Sequence, residues 1–167
     1  MRSLSHRRVW LLAVAVGLAS AAACGRPNEE PRCRVVPATV LMAESVPSAR
    51  LVPCIASLPD GWVVDLFSAD DDAGTFTLAH EDGAQLRVVL RPSCVPADDP
   101  VDDTPPDDGV MQRTSTIDGD VRRTSTFSGG CVVETLTLAH ALDADGNTAI
   151  HDAIGFLSRD ELARELG

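Results

Sequence analysis

The sequence has no lysine and no tyrosine, and aromatic residues make up only 4% of it. It also lacks three motifs that mark common enzyme sites: the HExxH of zinc proteases, the paired CxxC of redox and zinc sites, and the GxSxG of serine hydrolases. Nothing in the motif content therefore supports these activities. With few aromatic residues, the core must rely on Val, Leu and Ala, with these large side chains as fillers: Trp62, Phe67, Phe76, Phe127 and Phe156.

Acidic residues are absent from the first 23 positions, which are organised as an export signal. Arg2, Arg7 and Arg8 form a basic head, and the run from Val9 to Ala23 is apolar and ends in small residues. A helix that spans a bilayer needs about 20 apolar residues, more than this run supplies. We therefore expect residues 1–23 to be a signal peptide that is removed, in preference to an uncleaved anchor.

The segment around Cys24 resembles the lipobox of bacterial lipoproteins. Ala22, Ala23, Cys24 and Gly25 match that pattern, whereas Ala21 stands where leucine is usual. The resemblance implies lipidation of Cys24, with residues 24–50 as a lipidated N-terminus and tether, and a protein anchored on the outer face of the cytoplasmic membrane. Cleavage after Ala21 or Ala23 without lipidation, followed by secretion, is the alternative.

The other four cysteines fit a disulfide framework outside the reducing cytoplasm. If Cys24 carries a lipid, Cys33, Cys54, Cys94 and Cys131 remain and can pair completely, in any of three ways. We favour Cys94 with Cys131, because each lies at the end of a predicted strand beside an acidic loop. Cys33 with Cys54 would then staple the N-terminal segment.

The charge balance argues against nucleic acid as a partner. All 25 acidic residues follow Cys24, together with only 11 of the 14 arginines, so this part of the chain carries a net charge of −14. A phosphate backbone would be repelled by most of such a surface. The remaining interpretations of the negative charge are a basic partner, bound cations or plain solubility. We expect contact with the membrane only through the lipid anchor on Cys24.

Hairpin patterns dominate residues 51–167, which we expect to form one disulfide-stapled β-rich domain. Asp82-Gly83 predicts a two-residue turn that pairs Thr75, Thr77 and Ala79 with Leu90, Val88 and Leu86. Asp118-Gly119 and Gly129-Gly130 predict the next two turns. The fold class is α+β: an antiparallel β-meander of about six strands with a C-terminal helix capped by Ser158 and Glu161, or alternatively an all-β sandwich. The strands are predicted near 62–68, 74–80, 84–91, 110–117, 121–128 and 131–139.

Candidate metal ligands are few. The loop "VPADDPVDDTPPDDG" offers carboxylates that suit a hard cation, and two strands end in a histidine. Prolines and irregular spacing favour a solvated loop, and strand-end histidines more often satisfy turns. We likewise interpret "ALDADGNTAIHD" as a turn region and "RRTS" at 122–125 as a strand with an outward Arg face. The candidates are Asp98, Asp99, Asp102, Asp103, His80 and His140.

Three stretches resemble elements of small, uncharacterised actinobacterial envelope proteins: "VPCIASLPDGW" (52–62), "SGGCV" (128–132) and "AIGFLSRDEL" (153–162). The resemblance implies a location in the cell envelope and assigns no catalytic residue or cofactor. We therefore expect a non-enzymatic cell-envelope lipoprotein that binds an envelope protein or acts as a scaffold. The alternative is an extracytoplasmic protein that binds a small ligand or a divalent cation.

Overall fold

The structure is a computed structural model, and it describes residues 33–94, 109–137, 142 and 144–167. Three helices and eight strands occur in this part of the chain, none of the helices long and apolar enough to cross a membrane. In chain order they are α1 (Pro37–Ser45), β1 (Leu51–Ile55), β2 (Trp62–Asp70), β3 (Ala73–His80), β4 (Gln85–Arg91), β5 (Met111–Ile117), β6 (Asp120–Phe127), β7 (Gly130–Thr137), α2 (Ala144–Asp152), β8 (Ile154–Ser158) and α3 (Arg159–Leu166).

The main sheet has six antiparallel strands in the order β2-β3-β4-β7-β6-β5. The predicted α+β class, the six strands and the C-terminal helix are confirmed. The strand order differs from a simple meander, because β4 pairs with β7 and not with β5. Two three-stranded meanders thus meet at the centre of the sheet, where Arg91 is paired with Cys131 and the Cys94–Cys131 disulfide lies next to that pair.

The turn between β3 and β4 corrects the predicted register. The amide of His80 donates to the carbonyl of Ala84 at 2.8 Å, so the loop contains three residues and not two. Within this loop only Gly83 has a positive φ, of 90°, whereas a two-residue type I′ turn needs two such residues. The predicted pairing is therefore wrong by one residue, and Leu78 lies opposite Leu86.

The one-residue shift gathers the large apolar side chains on one face. Phe76 lies opposite Val88 and Leu78 opposite Leu86, and all four are buried. By contrast, the predicted two-residue turn between β5 and β6 is confirmed: Asp118 and Gly119 have φ of 52° and 90°. The predicted turn at Gly129-Gly130 is wrong by one residue: the loop is Ser128-Gly129, since Gly130 already pairs with Phe127 at the start of β7.

The folded part begins earlier than residue 51, where the expected tether ended. Helix α1 packs against β1, β2 and β3, and Met42 and Ala43 are buried. Pro37 starts the helix, a position at which its missing N–H costs nothing. Residues 37–49 therefore contribute core side chains, which a tether would not do.

Three further elements were not predicted from the sequence: β1, β8 and α2. Strands β1 and β8 pair antiparallel as a separate ribbon, with Val52 opposite Leu157 and both buried. Residues 144–152, expected to be a turn region, form helix α2, because Ile150 and His151 are buried as its inner face. The ribbon and the three helices contribute to one apolar core with the side chains of one face of the main sheet.

Arg159 fixes the position of α1. Its guanidinium donates to the carbonyls of Ala43, Val46 and Ala49, at the end of α1 and in the segment after it. A cation is favourable there, because the last carbonyls of a helix lack partners within it. Gly74 of β3 allows the end of α1 to approach the sheet closely, since a Cβ at this position would lie 2.9 Å from Ser45 Oγ.

Candidate functional site

A cleft opens between α1, β1 and the β2 end of the main sheet, and we call it the α1–β2 cleft. It encloses about 330 Å³. Ligand cavities in proteins run from roughly 300 to 1,000 Å³, so this one suits a small molecule. Helix α1, strand β1 with the residue after it, and the sheet each supply part of the wall. The lining residues are Arg34, Val36, Ala38, Thr39, Met42, Pro53, Cys54, Ile55, Ala56, Val64, Phe67 and Phe76.

The chemistry of the α1–β2 cleft is apolar. Among its lining residues, Arg34 alone is charged and Thr39 alone carries a hydroxyl. Thr39 is 4% exposed, whereas Arg34 is exposed and lies at the start of the described chain. The cleft therefore offers an apolar wall that is partly open to solvent, and a single cation.

The Cys33–Cys54 disulfide holds part of the cleft wall in place. Cys54 of β1 is bonded to Cys33, with 5.6 Å between their Cα atoms, so the chain just before α1 is tied to the ribbon. Gly155 of β8 permits this approach, because a Cβ there would lie 2.8 Å from Cys33 Sγ. Arg34 follows the disulfide directly, and its backbone is thereby fixed near the cleft.

Strand β2 is an edge of the main sheet and carries exposed aliphatic side chains. Val63 is 60% exposed, Val64 54% and Leu66 55%. Asp65 sits in a bulge between Val64 and Leu66, which interrupts the pairing with β3. A bulge and a charge on an edge oppose the addition of another strand, so this surface suits side-chain contacts better than strand pairing.

A cluster of polar side chains lies inside the protein, on the core face of the main sheet. Glu134 of β7 has no exposed surface and is bound by Arg123 of β6, whose Nε is 3.0 Å from both carboxylate oxygens. His151 of α2 places Nδ1 2.7 Å from Glu134 Oε2. Because a carboxylate only accepts hydrogen bonds, Nδ1 carries the proton.

The same cluster joins α2 to the sheet. Arg123 also donates to the backbone carbonyl of His151, and its Nη1 is 3.8 Å from Asp152. His151 Nε2 and Ser125 Oγ are buried without a hydrogen-bond partner. Ser, His and Glu are the residue types of a hydrolase triad, but here the serine is fully buried and is not hydrogen-bonded to the histidine. The arrangement is therefore a buried ion-pair cluster that links β6, β7 and α2.

Arg123 corrects the prediction of an outward Arg face on "RRTS". Only Arg122 points outward and is exposed, while the side chain of Arg123 is 14% exposed and faces the core. The sequence held a signal for this cluster. Glu134 alternates with Val132 and Leu136, which places it on the buried face of a strand where a carboxylate needs a buried cation.

The side chain of His80 makes contacts within the β3–β4 hairpin and with the neighbouring strand β2. Its Nδ1 accepts a hydrogen bond from the amide of Asp82 at 3.2 Å, and its ring contacts Trp62 with 5.2 Å between centroids. No group of three or more potential metal ligands occurs in the part of the chain that the structure describes. The lipidation candidate Cys24 lies outside the described residues. So do the five other metal-ligand candidates: Asp98, Asp99, Asp102, Asp103 and His140.

The disulfide pairs are those favoured from the sequence. Cys33 is bonded to Cys54, and Cys94 to Cys131 with 5.8 Å between Cα atoms. Two disulfides indicate an oxidising, extracytoplasmic environment. The α1–β2 cleft was not predicted, because it forms only when α1, β1 and β2, which are consecutive in the chain, pack together in three dimensions, and neither α1 nor β1 was predicted. The chain matches no protein-family model, no curated protein and no solved structure at a significant level, so its function has to be argued from this geometry.

Proposed function

We propose that this protein is an exported, non-enzymatic binding protein whose α1–β2 cleft takes a small apolar ligand. The observation that carries the proposal is the apolar lining of a cavity of about 330 Å³ beside an exposed edge strand. At about 30 Å³ per water molecule, this volume accommodates a ligand of roughly ten to twelve heavy atoms. Burial of apolar surface supplies the affinity, at about 25 cal/mol per Å² before the costs of association.

Helix α1 supports the same proposal. Val36, the N-cap residue of α1, and Leu41 within the helix are 45% and 46% exposed, although Met42 and Ala43 of the helix are buried. The helix is thus apolar on more than its buried side, which is typical of a helix with apolar neighbours around it. A ligand in the α1–β2 cleft would cover Val36 together with Val64 and Phe67 of β2.

Decanol is a suitable probe, since it is uncharged and matches the cleft in size. A ligand that binds only the folded state stabilises it by about 2.7 kcal/mol at a hundredfold excess over Kd. We expect decanol to raise Tm by several degrees, and Ala38→Phe, which fills the cleft, to abolish the shift. Ala163→Phe, at an exposed position of α3, is the matched control and should keep it. An unchanged Tm in wild-type protein would contradict the proposal.

The location is proposed together with the activity. We place the protein on the outer face of the cytoplasmic membrane, held by lipid on Cys24, which would bring the cleft within reach of membrane-derived apolar molecules. The two disulfides support export. The intact mass of membrane-extracted protein should correspond to a chain that begins at Cys24, gains a diacylglyceryl group and lacks four thiol hydrogens. A full-length mass with free thiols would overturn the location.

A second candidate function is protein binding through the exposed side of β2. Val63 and Leu66 project from this edge, and Asp65, Asp70 and Asp71 are exposed on or beside it. A second copy of the chain would bring like charges together, so the occupant we propose is an envelope protein with a basic, apolar surface. A photo-crosslinker at position 63 should capture one basic partner, and Asp65→Lys should abolish capture. A crosslinker at position 117, on the opposite edge, is the control, and equal capture there would contradict this candidate.

A further inference from the structure

Arg34 is placed to give the α1–β2 cleft a preference for one kind of ligand. It is the single charged residue in the lining. No hydrogen bond or ion pair joins it to another residue of the described chain. A guanidinium presents donors in a planar fork that matches a carboxylate or a phosphate. An unpaired fork at the mouth of an apolar cavity therefore complements a molecule with an apolar tail and an anionic head.

We infer that the ligand is a single-chain amphiphile with an anionic head, a carboxylate in the simplest case, whose tail lies in the cleft and whose head is bound by Arg34. This inference rests on the proposed function and deepens it. Thr39, buried in the wall, is the second polar group within the lining. The tail would contact Val64, Phe67 and Phe76 on the sheet.

The overall charge of the protein makes this inference discriminating. The part of the chain after Cys24 carries a net charge of −14, and Asp65, which follows the lining residue Val64 on β2, is exposed. The general field of such a protein attracts cations and repels anions. If field alone decided, an alkylammonium would bind best and a carboxylate worst. The local cation at Arg34 predicts the opposite order.

Three probes with the same ten-carbon chain separate the two cases: decanoate, decanol and decylammonium, titrated by calorimetry at low salt. We expect the purified protein to bind decanoate roughly fivefold more tightly than decanol, the advantage of an exposed ion pair, and decylammonium least tightly. Arg34→Gln should remove the preference for decanoate while decanol still binds. Arg34→Glu should place decylammonium first.

Arg87→Gln is the control, because Arg87 is exposed on the opposite face of the main sheet. It changes the net charge by the same amount and should leave the order unchanged. If no probe binds, the proposed function itself fails. If decanol binds but decanoate has no advantage, or keeps its advantage in Arg34→Gln, the cleft stands as an apolar site and the inference about the anionic head is overturned.

Discussion

At the scale of single residues, the ion pair of Glu134 and Arg123 connects α2 to the sheet. A buried carboxylate loses its hydration and must be compensated by a cation and by hydrogen bonds. Glu134 has both, since Arg123 binds it through two nitrogens and His151 donates to it. The cluster therefore links β6, β7 and α2 through one carboxylate.

Replacing Glu134 with Gln should destabilise the fold by about 3–5 kcal/mol, because Arg123 would lose its buried counter-ion and keep only the exposed Asp152 at 3.8 Å. The free energy of unfolding in urea measures this loss. Arg122→Gln, the exposed neighbour on the same strand, is the control and should change stability by no more than about 0.5 kcal/mol.

The pair can also be replaced as a unit. Arg123→Met combined with Glu134→Leu should cost less than either single substitution, because neither partner is then left buried and unpaired. Wild-type stability in the Glu134→Gln variant would show that the carboxylate is not charged or not buried in solution.

At the scale of elements, the turn between β6 and β7 is held in a narrow space against the segment between α1 and β1. Gly129 has a φ of 75°, and a Cβ there would overlap the carbonyl of Ser48. The backbone also pairs at this point, since the amide of Arg50 donates to the carbonyl of Ser128 at 3.1 Å. The turn thus docks the segment between α1 and β1 onto the main sheet.

Gly129→Ala should therefore destabilise the fold by more than about 3 kcal/mol, whereas Gly119→Ala should cost only about 1–2 kcal/mol. Gly119 has a φ of 90° but no atom within 4 Å of a Cβ, so only the backbone strain remains. Urea unfolding of the two variants compares a turn that packs with a turn that does not. Equal losses would contradict the docking.

The N-terminal cap of α3 makes a pH-dependent contribution to the stability of the fold. The Ser158 amide donates to Glu161 at 2.9 Å and its hydroxyl at 2.8 Å, and these hydrogen bonds lower the pKa of the Glu161 carboxyl below its ordinary value of 4.5. A lowered folded-state pKa means that this stabilisation is present above pH 4.5 and is lost as the pH falls through the folded-state pKa.

Titration by NMR should give the Glu161 carboxyl a pKa below 4.5. The substitution Ser158→Ala should raise this pKa back towards 4.5 and destabilise α3 by about 1 kcal/mol. The stability difference between wild type and Glu161→Gln should shrink as the pH falls below 4.5. A difference that is the same at acid and neutral pH would show that the cap is absent.

Elements with local signals were predictable from the sequence, and those decided by distant contacts were not. Six strands and the capped helix follow from alternation, turn residues and the Ser158–Glu161 spacing. Helix α2 is short, and what makes it a helix is burial of Ile150 and His151 against the rest of the core. The register of the first hairpin depended on one φ angle, since Asp82-Gly83 is compatible with both a two-residue and a three-residue loop. The α1–β2 cleft needs α1, β1 and β2 together, and no single stretch of sequence indicates it.

At the scale of the whole molecule, both disulfides are expected to stabilise the fold, but only one of them is expected to affect ligand binding. Each constrains the unfolded chain, with separations of 21 and 37 residues, and the chain-entropy model gives about 3 and about 4 kcal/mol. Only Cys33–Cys54 touches the α1–β2 cleft, where Cys54 is in the wall and Arg34 follows Cys33. Cys94–Cys131 joins the end of β4 to the start of β7, and neither cysteine lines the cleft.

Replacing both members of each pair with serine should therefore have two different results. Cys94→Ser with Cys131→Ser should lower the free energy of unfolding by about 4 kcal/mol and leave the decanol affinity of the remaining folded protein unchanged. Cys33→Ser with Cys54→Ser should cost about 3 kcal/mol and also weaken decanol binding, because the wall and Arg34 are no longer held together. Urea unfolding gives the first quantity and calorimetric titration under native conditions the second. If both variants bind decanol as wild type does, the cleft does not depend on its disulfide; if both lose binding equally, the loss reflects global destabilisation and the separation of stability from binding is wrong.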